Sequence, residues 1–109
     1  MTVSKIAEAL SLTPLAVAEG EREISGVYIG DLLSWVMGRA QSGDVWITIM
    51  SNINIVAVAS LADVACVILA EGVVPDENVR ATASAKGINL YTSEKTAYQL
   101  AEALAGLLK

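Results

Sequence analysis

Histidine is absent from this 109-residue chain, and cysteine occurs once, at Cys66. The first absence removes the commonest general base, the usual base of a catalytic triad and the commonest metal ligand together. The second excludes an internal disulfide and leaves a zinc site almost nothing to be built from. No metal or cofactor is expected. Cys66 lies in the apolar run Val64–Ala70, with no cation nearby in sequence to lower its pKa. It reads as a small buried hydrophobe in a reducing, cytoplasmic setting.

Positive charge is scarce too. Seven basic residues face twelve acidic ones, giving a net charge of −5. Lys5, Arg22, Arg39, Arg80, Lys86, Lys95 and Lys109 are scattered, so no stripe exists to neutralise phosphates, and nucleic-acid binding is not expected. Neither a phosphate-loop lysine motif nor a paired-glycine dinucleotide fingerprint is present. Glu71, Asp76 and Glu77 lie close in sequence, but a helix start attracts acidic residues without any catalytic role. No enzyme is expected from this set. Met1–Leu10 lacks the cationic start and apolar block of a signal peptide. The most apolar stretch, Ile53–Ala70, is interrupted by Ser60 and Asp63 and falls short of the ~20 residues that cross a bilayer. It reads as a buried helix followed by a buried strand, with no membrane partner.

What the chain has in abundance is apolar residues, 54% of the total against 17% charged. Its length suits one core, and residues 1–109 read as a single domain. Thr2 is placed to cap a short helix carrying Val3, Ile6, Ala7 and Leu10. Pro14 opens a short strand through Val17, and Ile24–Ile29 follows as a second, the two forming a hairpin-like start around the charged turn Glu19–Glu23. Asp31 is expected to cap a helix running to Arg39. Val45–Ile49 is a strand, Ile55–Leu61 a helix apolar on every face, and Val64–Leu69 a strand. Pro75 starts a helix that ends at Gly87, matching the proline-in, glycine-out asymmetry. Ile88–Tyr91 is a last strand, and Ser93 is expected to cap a final helix with Ala97, Leu100, Ala101, Leu104 and Leu108 on one stripe. Strands buried on both faces and alternating with helices predict a three-layer α/β fold, with a largely parallel sheet of about five strands between helices.

A parallel sheet gathers the loops after its strands along one edge, where helix N-termini also point. Those loops carry Gly30, Asp31, Ser51, Asn52, Asn54, Gly72 and Ser93. Their amides and small side chains suit a nucleotide or another phosphorylated metabolite; equally, Asp31, Asn54 and Ser93 suit plain helix caps. Trp46 belongs in the core, and Trp35 in the core or an interface. The all-apolar helix needs cover on a second side, so Ile55, Val58 and Ala59 are expected at the contact of a homodimer.

Certain motifs also carry a resemblance. Ile24-Ser25-Gly26-Val27 leads to Gly30, Gly43-Asp44 leads to Trp46-Ile47-Thr48, and the apolar helix–strand pair ends at Glu71-Gly72. In this order they resemble the DRTGG domain family, most clearly over Gly43–Ala70. That family is similar to the N-terminal domain of HPr kinase and, more distantly, to those of Mur ligases. The resemblance implies an accessory module of the kind attached to pyrophosphatases with CBS domains, to phosphotransacetylases and to cobyric-acid-synthase-like enzymes. It implies a regulatory or assembly role, often in dimers, alongside another cytoplasmic protein. The family's Asp-Arg-Thr-Gly turn falls on Ser51, Asn52, Ile53 and Asn54, where the charged pair is missing. The expectation is a non-catalytic regulatory or scaffolding domain that self-associates, with a small-molecule sensor as the alternative.

Overall fold

Alternation within the strands sets the architecture. In the computed structural model, which describes residues 1–109, strands β3 (Asp44–Thr48), β4 (Cys66–Leu69) and β5 (Leu90–Thr92) are buried along their whole length. Side chains at alternate positions point to opposite faces. Trp46, Val67, Leu69 and Leu90 therefore enter one core cluster, while Val45, Ile47, Cys66, Ile68 and Tyr91 enter another. Strand β2 (Gly26–Ile29) adds parallel to β3, and β1 (Thr13–Ala16) adds antiparallel to β5. The order is β1-β5-β4-β3-β2, a five-stranded, mostly parallel sheet.

Helices close both faces. Helix α2 (Leu33–Arg39), α3 (Asn54–Ala62) and α4 (Glu77–Ala85) cover the Trp46 face through Val36, Ile55, Val56, Val79 and Ala83. Helix α1 (Val3–Ala9) and α5 (Ala97–Leu107) cover the other through Val3, Ile6, Leu100 and Leu104. The expected three layers are present.

Local chemistry explains most boundaries. The Thr2 hydroxyl accepts the Lys5 amide at 3.3 Å and caps α1. Gly87 stands at φ +73° after α4, the left-handed stop that glycine provides. Two expected caps fail. Asp31 does not cap α2, whose N-cap is Leu32 without a side-chain bond. Ser93 does not cap α5, because the turn continues to Thr96, which forms a reciprocal capping box with Gln99.

The opening segment is not a hairpin. Strands β1 and β2 lie at opposite edges of the sheet, and the chain crosses between them along Val17–Ser25. Asn89 fastens that crossing. Its side-chain oxygen accepts the amides of Ala18 and Glu19, each at 2.8 Å, and its Nδ2 donates to the carbonyls of Glu19 and Ala65. All four bonding positions of a buried amide are thereby filled.

The contact residues expected of α3 are also displaced. Ile55, Val58 and Ala59 are at most 5% exposed, packed within their own chain against the sheet and its neighbouring helices. The second cover that an all-apolar helix needs comes from α2 on one side and α4 on the other.

Candidate functional site

Parallel pairing of β2 with β3, β3 with β4 and β4 with β5 brings the loops after these four strands to one edge, and with them Gly30, Asp31, Ser51, Asn52, Asn54, Gly72 and Ser93. Most of these groups bond to one another. The Asp31 carboxylate accepts the Thr48 hydroxyl at 2.8 Å and the Ile49 amide at 3.0 Å, tying the end of β2 to the end of β3. The Gly30 carbonyl accepts the buried Trp46 indole N–H at 2.8 Å. Asn52 accepts the Asn54 amide at 2.9 Å, the side-chain turn typical of asparagine. The Gly72 amide donates to the Ser93 carbonyl and the Glu71 amide to that of Lys95, while the Ser93 hydroxyl accepts the Lys95 amide. Glu71 and Gly72 both have positive φ, so the turn after β4 is wound back onto the end of β5.

Apart from Ile53 and Asn54, no residue of this edge lines a cavity. The carboxylates of these loops are Asp31, Glu71, Asp76 and Glu94, the last lying over Gly72, with Lys95 the one cation among them. Amides without an acceptor within the chain stand at the starts of α2 (Leu32, Leu33) and α4 (Glu77, Asn78) and, just before α3, along the stretch Ser51, Asn52 and Ile53. This stretch coincides with the turn singled out from the sequence.

The chain has two concave regions, and the first of them is reached by Ile53 and Asn54 of this edge. A furrow of ≈ 450 Å³ lies between α3 and α4, and a shallower hollow of ≈ 340 Å³ lies beside α1 and β1. Neither contains a cluster of groups suited to proton transfer or nucleophilic attack. Cys66 is fully buried, and loss of solvation pushes its thiol up to about 12, so it carries no thiolate at neutral pH. At the opposite end of the sheet, Arg22 pairs with Asp63 at 3.1 Å and Ser42 donates to the same carboxylate. Those hydrogen bonds from Ser42 and Arg22 hold Asp63 below its ordinary pKa. This cluster joins the Val17–Ser25 crossing to the end of α3 and is structural.

Several exposed apolar residues lie on the strand that ends the sheet and on the helix after it. Strand β2 pairs with β3 on one side and with no strand on the other. Ile29, Leu32, Trp35 and Met37, on β2, α2 and the turn between them, are each at least 50% exposed, and Ile49 beside Asp31 is 47% exposed. Arg39 stacks over the Trp35 ring, 3.7 Å from its centre. Sequence pattern pointed to Trp35 but not to this edge, because no local signal says which strand ends a sheet.

No family model matches the sequence, and no curated protein matches it. Among solved structures, the fold is similar to the CBS and DRTGG domains of the regulatory region of Clostridium perfringens pyrophosphatase, complexed with its activator, diadenosine tetraphosphate. The TM-score is 0.72 at 17% identity, over 93% of this chain and 44% of that chain. The chain thus spans less than half the length of that relative. At this identity the likeness shows the fold alone, that of a DRTGG domain.

Proposed function

We propose that residues 1–109 form one non-catalytic regulatory or assembly domain that acts by pairing with a second copy of itself and with another cytoplasmic protein. The observation that carries this reading is the open β2 edge bordered by Ile29, Leu32, Trp35, Met37 and Ile49. An unpaired edge offers backbone N–H and C=O groups that another strand satisfies. Two copies meeting edge to edge across a two-fold axis match each group with its own counterpart. The flanking tryptophan and arginine are the residue types that dominate association energies. Sedimentation equilibrium of the wild type tests this reading. The expected result is a dimer that Trp35→Glu dissociates, and a monomer throughout the micromolar range overturns it.

A second reading has its own support. The free amides of Ser51, Asn52 and Ile53 precede α3 where a phosphate is favoured, and the pyrophosphatase region of similar fold binds a dinucleoside tetraphosphate. On this reading the domain senses a nucleotide or phosphorylated metabolite, and Asn52, which shapes the turn, governs affinity. Ligand excess of a hundredfold over Kd stabilises a protein by about 2.7 kcal/mol. A panel of diadenosine tetraphosphate, ATP and inorganic phosphate should therefore raise the melting temperature. Unchanged melting with all three removes this reading and leaves the first intact.

A further inference from the structure

The furrow between α3 and α4 has a chemistry of its own, independent of self-association. On the α3 side it is lined by Ile53, Asn54, Val56, Ala57, Ser60 and Leu61, the i, i+3, i+4 spacing of one helical stripe. Thr82 and Lys86, four residues apart, face it from α4 and the residue that ends it. Ala57 and Ser60 are too small to fill the space between the helices. The resulting ≈ 450 Å³ falls in the ~300–1,000 Å³ range of small-molecule sites.

Charge narrows the occupant. Twelve of the nineteen charged residues are acidic, yet the one charge lining the furrow is Lys86. Arg22 and Arg80 are engaged by Asp63 and Glu77, and Arg39 by Trp35, whereas Lys86 has no ion-pair partner. Asn54 and Ser60 enter hydrogen bonds through their backbone alone, which leaves their side chains free. Ile53 and Leu61 flank the opening while 41% and 75% exposed.

We propose that this furrow binds a small amphipathic acid, an extended or flat apolar body bearing a single carboxylate. The body lies along Val56, Ala57 and Leu61, and the carboxylate meets Lys86 with Asn54 and Ser60 as added donors. The nine residues of α3 span ~13 Å, which sets the length of the body. A cationic or doubly apolar ligand lacks the complement to Lys86.

Decanoate is the probe, and decyltrimethylammonium, with the same body and opposite charge, is its control. Each is titrated into the full chain below its aggregation concentration and followed by amide NMR. Decanoate should saturate one site, shifting amides of α3 and α4, and the cation should bind at least ~tenfold more weakly. Lys86→Glu should lower decanoate affinity by about tenfold, roughly the effect of exchanging one attractive contact for a repulsive one. Ser60 is exposed, so Ser60→Trp should fill the furrow and abolish binding with the melt unchanged. Absence of saturable binding, equal binding of both probes, unaltered affinity in Lys86→Glu, or shifts confined to other elements overturns the proposal.

Discussion

Asn89 shows how much one side chain decides. It is 3% exposed and holds Ala18, Glu19 and Ala65 together, so that the sequence-distant crossing to β2 is fixed against the start of β5. Removing it leaves buried donors and acceptors unmatched, which costs more than the bonds themselves contribute. Asn89→Ala should lower stability by about 2–4 kcal/mol in chemical denaturation, and a loss under ~1 kcal/mol would show the crossing to be fastened elsewhere. Asp63 gives a pH signature. Its folded pKa lies below the ordinary 3.8 because Ser42 and Arg22 donate to the charged form. Folding therefore favours the ionised carboxylate. The contribution is fully present above pH 3.8 and disappears as pH falls through the lower folded value. Asparagine also tolerates the left-handed backbone of this residue, at φ 57°. The Asp63→Asn variant should then lose less stability than the wild type between pH 4.5 and the acid limit, compared by urea melts at matched ionic strength.

Among the elements, α5 is the clearest case of pattern becoming packing. Leu100 and Leu104 are wholly buried against the face formed by Val45, Ile47, Ile68 and Tyr91. Leu104→Ala should cost about 2–5 kcal/mol, the range for a leucine whose cavity cannot collapse. A loss below ~1 kcal/mol would mean that α5 sits loosely on the sheet. The stripe was legible because helical spacing is a local property. The helix start was not. Ser93 and Thr96 are both good caps, and Ser93 was already committed to the turn that receives Gly72. Asp31 failed as a cap for a similar reason, since Thr48 and Ile49 hold its carboxylate from the neighbouring strand. The partners that hold Asp31 come from another element, whereas the Ser93 hydroxyl is taken by the Lys95 amide two residues on in its own loop.

For the whole molecule, the apolar excess divides in two. The accessible surface is 5554 Å², close to the ~5,800 Å² expected of a folded monomer of this mass, so most of the excess lies inside. Of the exposed remainder, Ile29, Leu32, Trp35 and Met37 lie on β2, α2 and the turn between them, while Leu61, Val74 and Tyr98 stand elsewhere. This separates two substitutions that the sequence treats alike. Val58 is 5% exposed under α2 and α4, and Val58→Glu should prevent folding, read as loss of the cooperative melt and dispersed amide spectrum. Trp35 is 52% exposed, and Trp35→Glu should keep both and change only the sedimentation. A folded Val58→Glu domain, or a Trp35→Glu chain that does not fold, would reverse the division between core and contact surface.

Local rules alone determined the alternation of elements, the three layers, the burial of Trp46 and Cys66 and the stripe of α5, because periodicity and side-chain type act within a few residues. The same rules placed the strand-end residues on one edge, since parallel strands end together. Strand order is different. It depends on which distant segments pair, and only the tertiary structure separated β1 from β2 and left β2 open. Only the packing of α2 and α4 against α3 covered Ile55, Val58 and Ala59 and left Lys86 beside a furrow, and only the pairing of β2 with β3 turned Asp31 from a cap into a cross-link. Those outcomes turn on which neighbour reaches a group first in space, and neighbours in space are set by the fold as a whole.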